Sequence, residues 1–465
     1  MKATALLLLS LPFIASSCDD LENIDPIFDN DDDPNTTIVY DDIVVDEGAD
    51  SGNPKIFISP NEVIVKYDPG VSQDSVRQDF PLLNYQKCDC GDTNIELWVF
   101  DPGIDELEIE GVVQRLSRRS GTRGERSFDI QLTPVGPFPQ PGQDVLADTV
   151  GLVGPASSLS VNIAVIDTGL DFKRYLNTES PEKFLFPSGY YSYCYDTGTG
   201  WNFTADNNGD GIREGDPYFV DDNGHGTYVT KIITDELDKK GVEYQILPLK
   251  VFDANGRGSY WDVLCSLAYI KDINNFHTAI DIVNASFGGG LPREFFDESE
   301  AGETENIFAG MLEALNDQGT LVITSAGNKG EDNDTGIEGD FLSSFESPNI
   351  ISVGGYEYDT INPSARPITL HHFSNYGSEG SVDIALAFNN YEIIYDTSDS
   401  LRKQRVTLHG TSYAAAALSG KAGTLIDSLG SLPIEDLKNR IFSLTEHAPQ
   451  LNGKIVDGRA LIREE

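Results

Sequence analysis

From Val161 onward, short apolar runs alternate with stretches of helical spacing. That alternation limits what the chain can fold into more than any other feature. Residues 161–166, 244–252, 280–286 and 320–325 read as strands that are apolar along most of their length. A strand with one wet face alternates apolar and polar residues, whereas a continuous apolar run is buried on both faces. Between these runs, residues 224–236, 260–276 and 305–318 read as helices. Continuous strands separated by helices imply an α/β domain with a parallel sheet covered on both sides. Such sheets build their sites at strand ends and helix starts.

Four glycine-rich segments fall at such ends, in a fixed order. VIDTGLD carries Asp167, NGHGT carries His225, TSAGN ends at Asn328 and HGTSYAAA carries Ser412. Asp, His and Ser are the side chains of a nucleophilic triad, and an Asn amide can donate to an oxyanion. Ser412 opens a run of alanines that forms helix readily, so backbone N–H groups and the positive end of a helix dipole lie beside it. Each residue alone has an ordinary alternative. Ser412 would be a plain N-cap, Asp167 a strand-end turn former, and Asn328 a turn residue. His409 rivals His225 by its closeness to Ser412 but lacks the Gly-His-Gly-Thr turn, and reads as structural. Four segments together, in the order Asp, His, Ser, outweigh the separate alternatives.

On these motifs the chain resembles the subtilisin-like serine proteases, the subtilases, over residues 161–463. The resemblance implies a subtilisin-like parallel sheet flanked by helices and a serine endopeptidase acting through an acyl-enzyme. It makes Ser412 the nucleophile, His225 the general base and later acid, Asp167 the group that orients the imidazole, and Asn328 an oxyanion donor. Ser286-Phe287-Gly288 and Ser325-Ala326-Gly327 match the two edges that hold an extended peptide as an added strand. The pocket between them looks open to apolar side chains. The chain departs from the pattern at Tyr228, Thr230-Lys231, Tyr413 and Ala416, where the family usually has His, Ala-Gly, Met and Pro. None is a triad position, so the departures bear on specificity and rate. Two other classes compete: a catalytically silent surface binding protein, and an esterase using the same triad.

Acidic residues outnumber basic ones 76 to 32, for a formal charge of −44. Phosphate binding needs a basic face, so no nucleic-acid partner is expected. Polypeptide substrates and a monomer are. No cofactor is required for the chemistry. Asp206, Asn208, Asp210 and Ile212 resemble the first half of a calcium loop, with Glu214 or Asp216 to complete it. The twelfth-position glutamate is missing, so a structural calcium site and an acidic surface loop both stay open.

The N-terminus reads as an export signal. Lys2 precedes an apolar run of about ten residues, too short to span a bilayer as a helix of ~20 residues. Ala15-Ser16-Ser17 then precede Cys18, which resembles a bacterial lipobox with Cys18 as the lipidated residue. A cell-envelope lipoprotein of a Gram-negative bacterium is expected, at the outer membrane or cell surface, held to the membrane by lipid. The organisation expected is a signal over 1–17, an acidic disordered tether over 18–55, a small α+β prodomain-like or accessory domain over 56–133, a Pro-rich linker over 134–150, and the peptidase domain over 151–465. The tether expectation rests on 13 acidic residues and no Lys or Arg between Asp19 and Pro54. Arg115, Arg118, Arg119, Arg123 and Arg126 form either a docking face or, more simply, a solvated one. Cys88 and Cys90 are too close in sequence to pair without strain, and Cys194–Cys265 is one possible disulfide.

Overall fold

The computed structural model describes residues 39–47, 55–88, 94–132, 161–171, 200–205, 215, 219–276, 279–296, 306–358, 367–389, 391–396 and 402–462. The lipobox with Cys18, the linker, Cys194 and the candidate calcium residues Asp206, Asn208, Asp210, Ile212, Glu214 and Asp216 lie outside them.

The first strand, β1 (Val39–Asp46), falls inside the stretch expected to be a disordered tether. The tether expectation is corrected there. After β1 comes the small α+β unit: β2 (Lys55–Tyr67), α1 (Gln73–Arg77), β3 (Asn84–Lys87), β4 (Ile95–Val99), α2 (Glu106–Arg118) and β5 (Thr122–Gln131). Helix α2 starts where Asp105 caps the Glu108 N–H at 2.9 Å, and it buries Ile109, Val112 and Leu116 at helical spacing.

The peptidase region opens with β6 (Val161–Asp167), followed by β7 (Trp201–Asn202), α3 (His225–Asp238), β8 (Tyr244–Lys250), β9 (Arg257–Ser259) and α4 (Tyr260–Phe276). Then come β10 (Ile282–Ala285), β11 (Gly290–Pro292), α5 (Ile307–Asp317), β12 (Leu321–Ser325), β13 (Glu338–Asp340), β14 (Ile350–Tyr358), β15 (Ile368–Leu370) and β16 (Ile384–Ala387). The chain ends through β17 (Tyr391–Asp396), β18 (Arg402–His409), α6 (Thr411–Leu429), α7 (Ile434–Phe442), β19 (Glu446–His447) and β20 (Arg459–Ala460). The large sheet runs β19-β20-β16-β14-β12-β10-β6-β8-β7, with β15 pairing β14. Its central pairs β8-β6-β10-β12-β14-β16 are all parallel. Residues of α3, α6 and α7 fill the core on one face, and those of α4 and α5 fill the other. The α/β expectation therefore holds. Among the described residues no helix is long and apolar enough to cross a membrane.

Two junctions join the N-terminal segments to this domain. β5 continues its sheet onto β9 of the peptidase region, with Ile130 opposite Gly258, and the Leu132 N–H donates to the Gly256 carbonyl at 2.8 Å. Phe128 stacks on Tyr260 with ring centres 4.6 Å apart. Cys88 is disulfide-bonded to Cys265, not to a residue of its own domain, so Cys265 is not free for Cys194. Of the five arginines, Arg119 and Arg126 pair within their own unit, with Asp79 and Glu110. Glu125 reaches across the junction. It accepts from the Ile307 N–H at the start of α5 and from the Tyr260 hydroxyl. A carboxylate suits that place because a helix N-terminus presents unpaired N–H groups. Burial nevertheless pushes the Glu125 carboxyl up to about 7.

The second junction is β1, which pairs in parallel with β18 from Val39–Arg402 to Asp46–His409, while β17 flanks β18 on the other side. The physical reason the tether expectation fails is that the segment's complement lies some 360 residues away in sequence. β18 begins Arg402-Lys403-Gln404-Arg405, opposite the acidic strand, and Arg405 lies 3.8 Å from Asp42. Val45 adds apolar contact in the cluster that holds Val406 and Leu408.

Candidate active site

Asp167 ends β6 and is fully buried. Its carboxylate takes the Thr168 N–H at 2.7 Å and faces His225 Nδ1, at 2.8 Å from Oδ1 and 3.0 Å from Oδ2. A carboxylate only accepts here, so Nδ1 carries a proton and the ring orientation is set.

His225 is the first residue of α3. The turn before it is held by a residue that the sequence reading passed over, Asp221. Its Oδ1 accepts from Thr168 Oγ1, Asn223 N and Gly224 N at 2.7–2.9 Å. Its Oδ2 accepts from Thr227 N at 2.9 Å and Thr227 Oγ1 at 2.6 Å. The signal was available, since an Asp three residues before a Gly-His helix start matches a side chain that caps backbone donors.

Ser412 is the second residue of α6 and is 5% exposed. Its carbonyl accepts from Ser286 Oγ at 2.9 Å, Ser286 is held by Asn284, and Asn284 is held in turn by Ser419 on the same helix. Ser286, expected at a substrate edge, thus also fixes the helix that presents Ser412. Asn328 is oriented by Thr411, whose N–H and Oγ1 donate to Asn328 Oδ1 at 2.9 and 2.8 Å. The Asn328 amide N–H₂ is left to point into the cleft. His409 is not part of this group; its Nδ1 lies 2.8 Å from Asn389 Oδ1.

One cavity is lined by His225, Ser412, Asn328, Ser286, Phe287, Gly288, Ser325 and Gly327, so the predicted catalytic and substrate-edge residues converge, with Ala326 buried behind them. Three further lining residues were not expected: Glu47, Leu132 and Asp340. The free volume is about 20 Å³, room for roughly one water.

Glu47 follows β1. Its N–H donates to the His409 carbonyl at 3.0 Å, which carries the register of β1 to the cleft. Its Oε1 lies 2.8 Å from His225 Nε2, and its Oε2 accepts from Asn328 Nδ2 at 2.9 Å. Burial opposes charge on His225, but Asp167 and Glu47 outweigh it and raise its pKa well above the ordinary value. Glu47 thus occupies Nε2, the nitrogen that would have to take a proton from Ser412. Tyr413, standing where the resemblance leads one to expect Met, is buried close by with ring centres 5.8 Å from His225.

Asp340 adds a carboxyl to the wall of the pocket that was expected to be open to apolar side chains. It lies in a three-residue strand twelve positions beyond Asn328, and no motif marked it. For metals, Glu357, His371 and His372 bring ligand atoms within 4.8 Å of one another, and none of the three lines this cavity. His371 already uses Nδ1 to accept from the Phe373 N–H.

The subtilase family model matches residues 159–456. Subtilisin DY of Bacillus licheniformis is 24% identical over 54% of this chain and 80% of its own length. An intracellular serine protease of Paenibacillus polymyxa is 29% identical over 43% of this chain and 50% of its own. Subtilisin-like protease 2 of Arthroderma benhamiae is 26% identical over 83% of this chain and 86% of its own. A cold adapted subtilisin-like serine proteinase of known structure matches 67% of this chain and 92% of its own at 18% identity, with a TM-score of 0.46. With the family model spanning well over half of its length, the chain belongs to the subtilase family of serine-type endopeptidases.

Proposed function

We propose that this chain is an exported, lipid-anchored serine endopeptidase held at rest by its own N-terminal strand. The observation that carries the reading is the meeting of Asp167–His225, Ser412 and Asn328 on one buried cavity. Once Glu47 withdraws, His225 Nε2 is free to take the Ser412 Oγ proton as Oγ attacks the peptide carbonyl carbon. The Asn328 amide and the Ser412 backbone N–H donate to the oxyanion. His225 then protonates the leaving amine, and water hydrolyses the acyl-enzyme by the same steps in reverse order of partners. No cofactor enters these steps.

Export and anchoring rest on the segment before Cys18, and the Cys88–Cys265 disulfide supports an oxidising compartment. The acidic loop 206–216 is proposed as a structural calcium site, tested by whether a chelator lowers Tm. The occupied cleft also suits a silent binding protein, and one experiment separates the two. Full-length wild type, Glu47→Ala and Ser412→Ala are treated with a serine-directed fluorophosphonate. Endopeptidase chemistry requires fast labelling of Glu47→Ala and none of Ser412→Ala. A folded Glu47→Ala chain that stays unlabelled means a silent protein.

A further inference from the structure

β10 and β12 are adjacent parallel strands, and beyond their ends the chain opens into the two walls Ser286–Gly288 and Ser325–Gly327. β13 pairs antiparallel with β11, Gly290 opposite Asp340, and this lays Asp340 across the space between the walls. Its side chain is close against both. A Cβ added at Gly288 would lie 2.0 Å from Asp340 Oδ1, and one at Gly327 would lie 2.7 Å from Oδ2. Glycine is needed on each wall because the carboxyl group occupies the room. Gly327 has φ of +103°, a conformation that other residues rarely adopt.

The residue is 4% exposed. Oδ2 accepts from the Gly289 N–H at 3.2 Å, while Oδ1 has no hydrogen-bond partner among the described residues. A buried carboxyl oxygen without a partner is unfavourable, and such a group in a native site asks for a ligand. The charged neighbours are Lys329, Glu331 and Glu338. Lys329 is the one cation among them, and its ammonium lies 4.0 Å from Glu338 as well.

We propose that Asp340 is the specificity-determining residue of the primary pocket, and that the substrates are polypeptides with lysine or arginine immediately before the scissile bond. The proposal rests on the endopeptidase reading above. A cationic side chain entering between Gly288 and Gly327 would give Oδ1 its missing donor and its counter-charge. An apolar side chain would seal the unpartnered oxygen away from water instead. That difference corresponds to roughly 10²-fold in kcat/KM. Burial pushes the Asp340 carboxyl up to about 8, with Glu331 and Glu338 adding to the rise and Lys329 opposing it. The group is therefore protonated at neutral pH in the empty site and must ionise to pair. Preference for a basic residue should grow as pH rises toward 8 and then level off.

The test uses full-length chains carrying Glu47→Ala, so that the cleft is open, with Asp340 or with Asp340→Asn. Active sites are counted with a fluorophosphonate that has no side chain for the pocket. Peptides differing only in Arg, Lys, Leu or Phe at the cleaved position are then compared across pH. We expect Arg and Lys to lead by roughly 10²-fold and the lead to collapse in Asp340→Asn at equal labelling. Preference for Leu or Phe, or a basic preference that survives Asp340→Asn, overturns the proposal. If no chain labels, the endopeptidase reading fails, and the pocket is decided separately by calorimetry with benzamidine on the chain carrying both Glu47→Ala and Ser412→Ala. Binding lost on adding Asp340→Asn supports the cation site; no binding, or binding indifferent to Asp340→Asn, overturns it.

Discussion

Ordinary interactions hold the catalytic side chains, and each can be removed singly. Asn328 is positioned by Thr411 and donates into the cleft. Asn328→Ala should lower kcat by ~10²–10³ with KM little changed, measured on an active-site-titrated enzyme, because the donor matters most when the oxyanion forms. Asp221 is a positioning residue. Its carboxylate satisfies three backbone N–H groups and two hydroxyls in the turn before His225. Asp221→Ala strands those donors and should cost about 3 kcal/mol or more of stability, read from the urea midpoint. Asp221→Asn, which keeps one acceptor, should cost less.

At the scale of elements, β1 brings a carboxylate into the site. Eight residues pair with β18 so that Glu47 meets His225 and Asn328. Replacing Glu47 by Ala removes two hydrogen bonds that involve charge, and phosphonate labelling should accelerate by roughly 10-fold or more. The pH dependence has a definite sign. Burial opposes protonation of His225, but the two carboxylates raise its pKa well above the ordinary value. The stability gained from the pairing is therefore full below the unfolded value, near 6.5, and is lost as pH rises through the folded value. Protection of the β1 amides from hydrogen exchange, taken relative to their intrinsic rates at each pH, should be greatest in acid and fall with alkali. The acidic limb of the labelling profile should move to lower pH in Glu47→Ala. An unchanged limb would separate Glu47 from the state of His225.

At the scale of the molecule, the small N-terminal unit is not a loosely attached neighbour. It shares a sheet with β9, an apolar cluster with α4 and α5, and a disulfide with Cys265. Cleavage anywhere within 134–150 should therefore give two fragments on a reducing gel and one band without reductant. Loss of the N-terminal fragment under non-reducing conditions would contradict the Cys88–Cys265 pairing. Glu125 makes the same junction sensitive to pH. Burial lifts its carboxyl from its ordinary value to about 7, so the folded state holds the proton longer than the unfolded chain. Its contribution should decline as pH rises from about 4.5 to 7 and be flat above, as followed by Tm.

The alternation of apolar strands and helices, the triad segments and most of the residues that line the cavity were legible from the sequence alone. Each rests on neighbours a few residues apart: a strand end, a helix start, a glycine turn. Asp167, His225, Asn328 and Ser412 came together where their motifs led one to expect. What the chain did not disclose were partners far apart along it. The acidic residues of 39–47 read as a disordered tether because their cations lie in β18, and Cys265 was matched with Cys194 as one possibility while its partner Cys88 lies 177 residues away. Asp340 sits in an unremarkable short strand, and its importance comes only from the two walls it lies between. Local periodicity and turn chemistry are written in consecutive residues, whereas burial, charge pairing and the occupant of a cleft depend on contacts that only the folded chain creates.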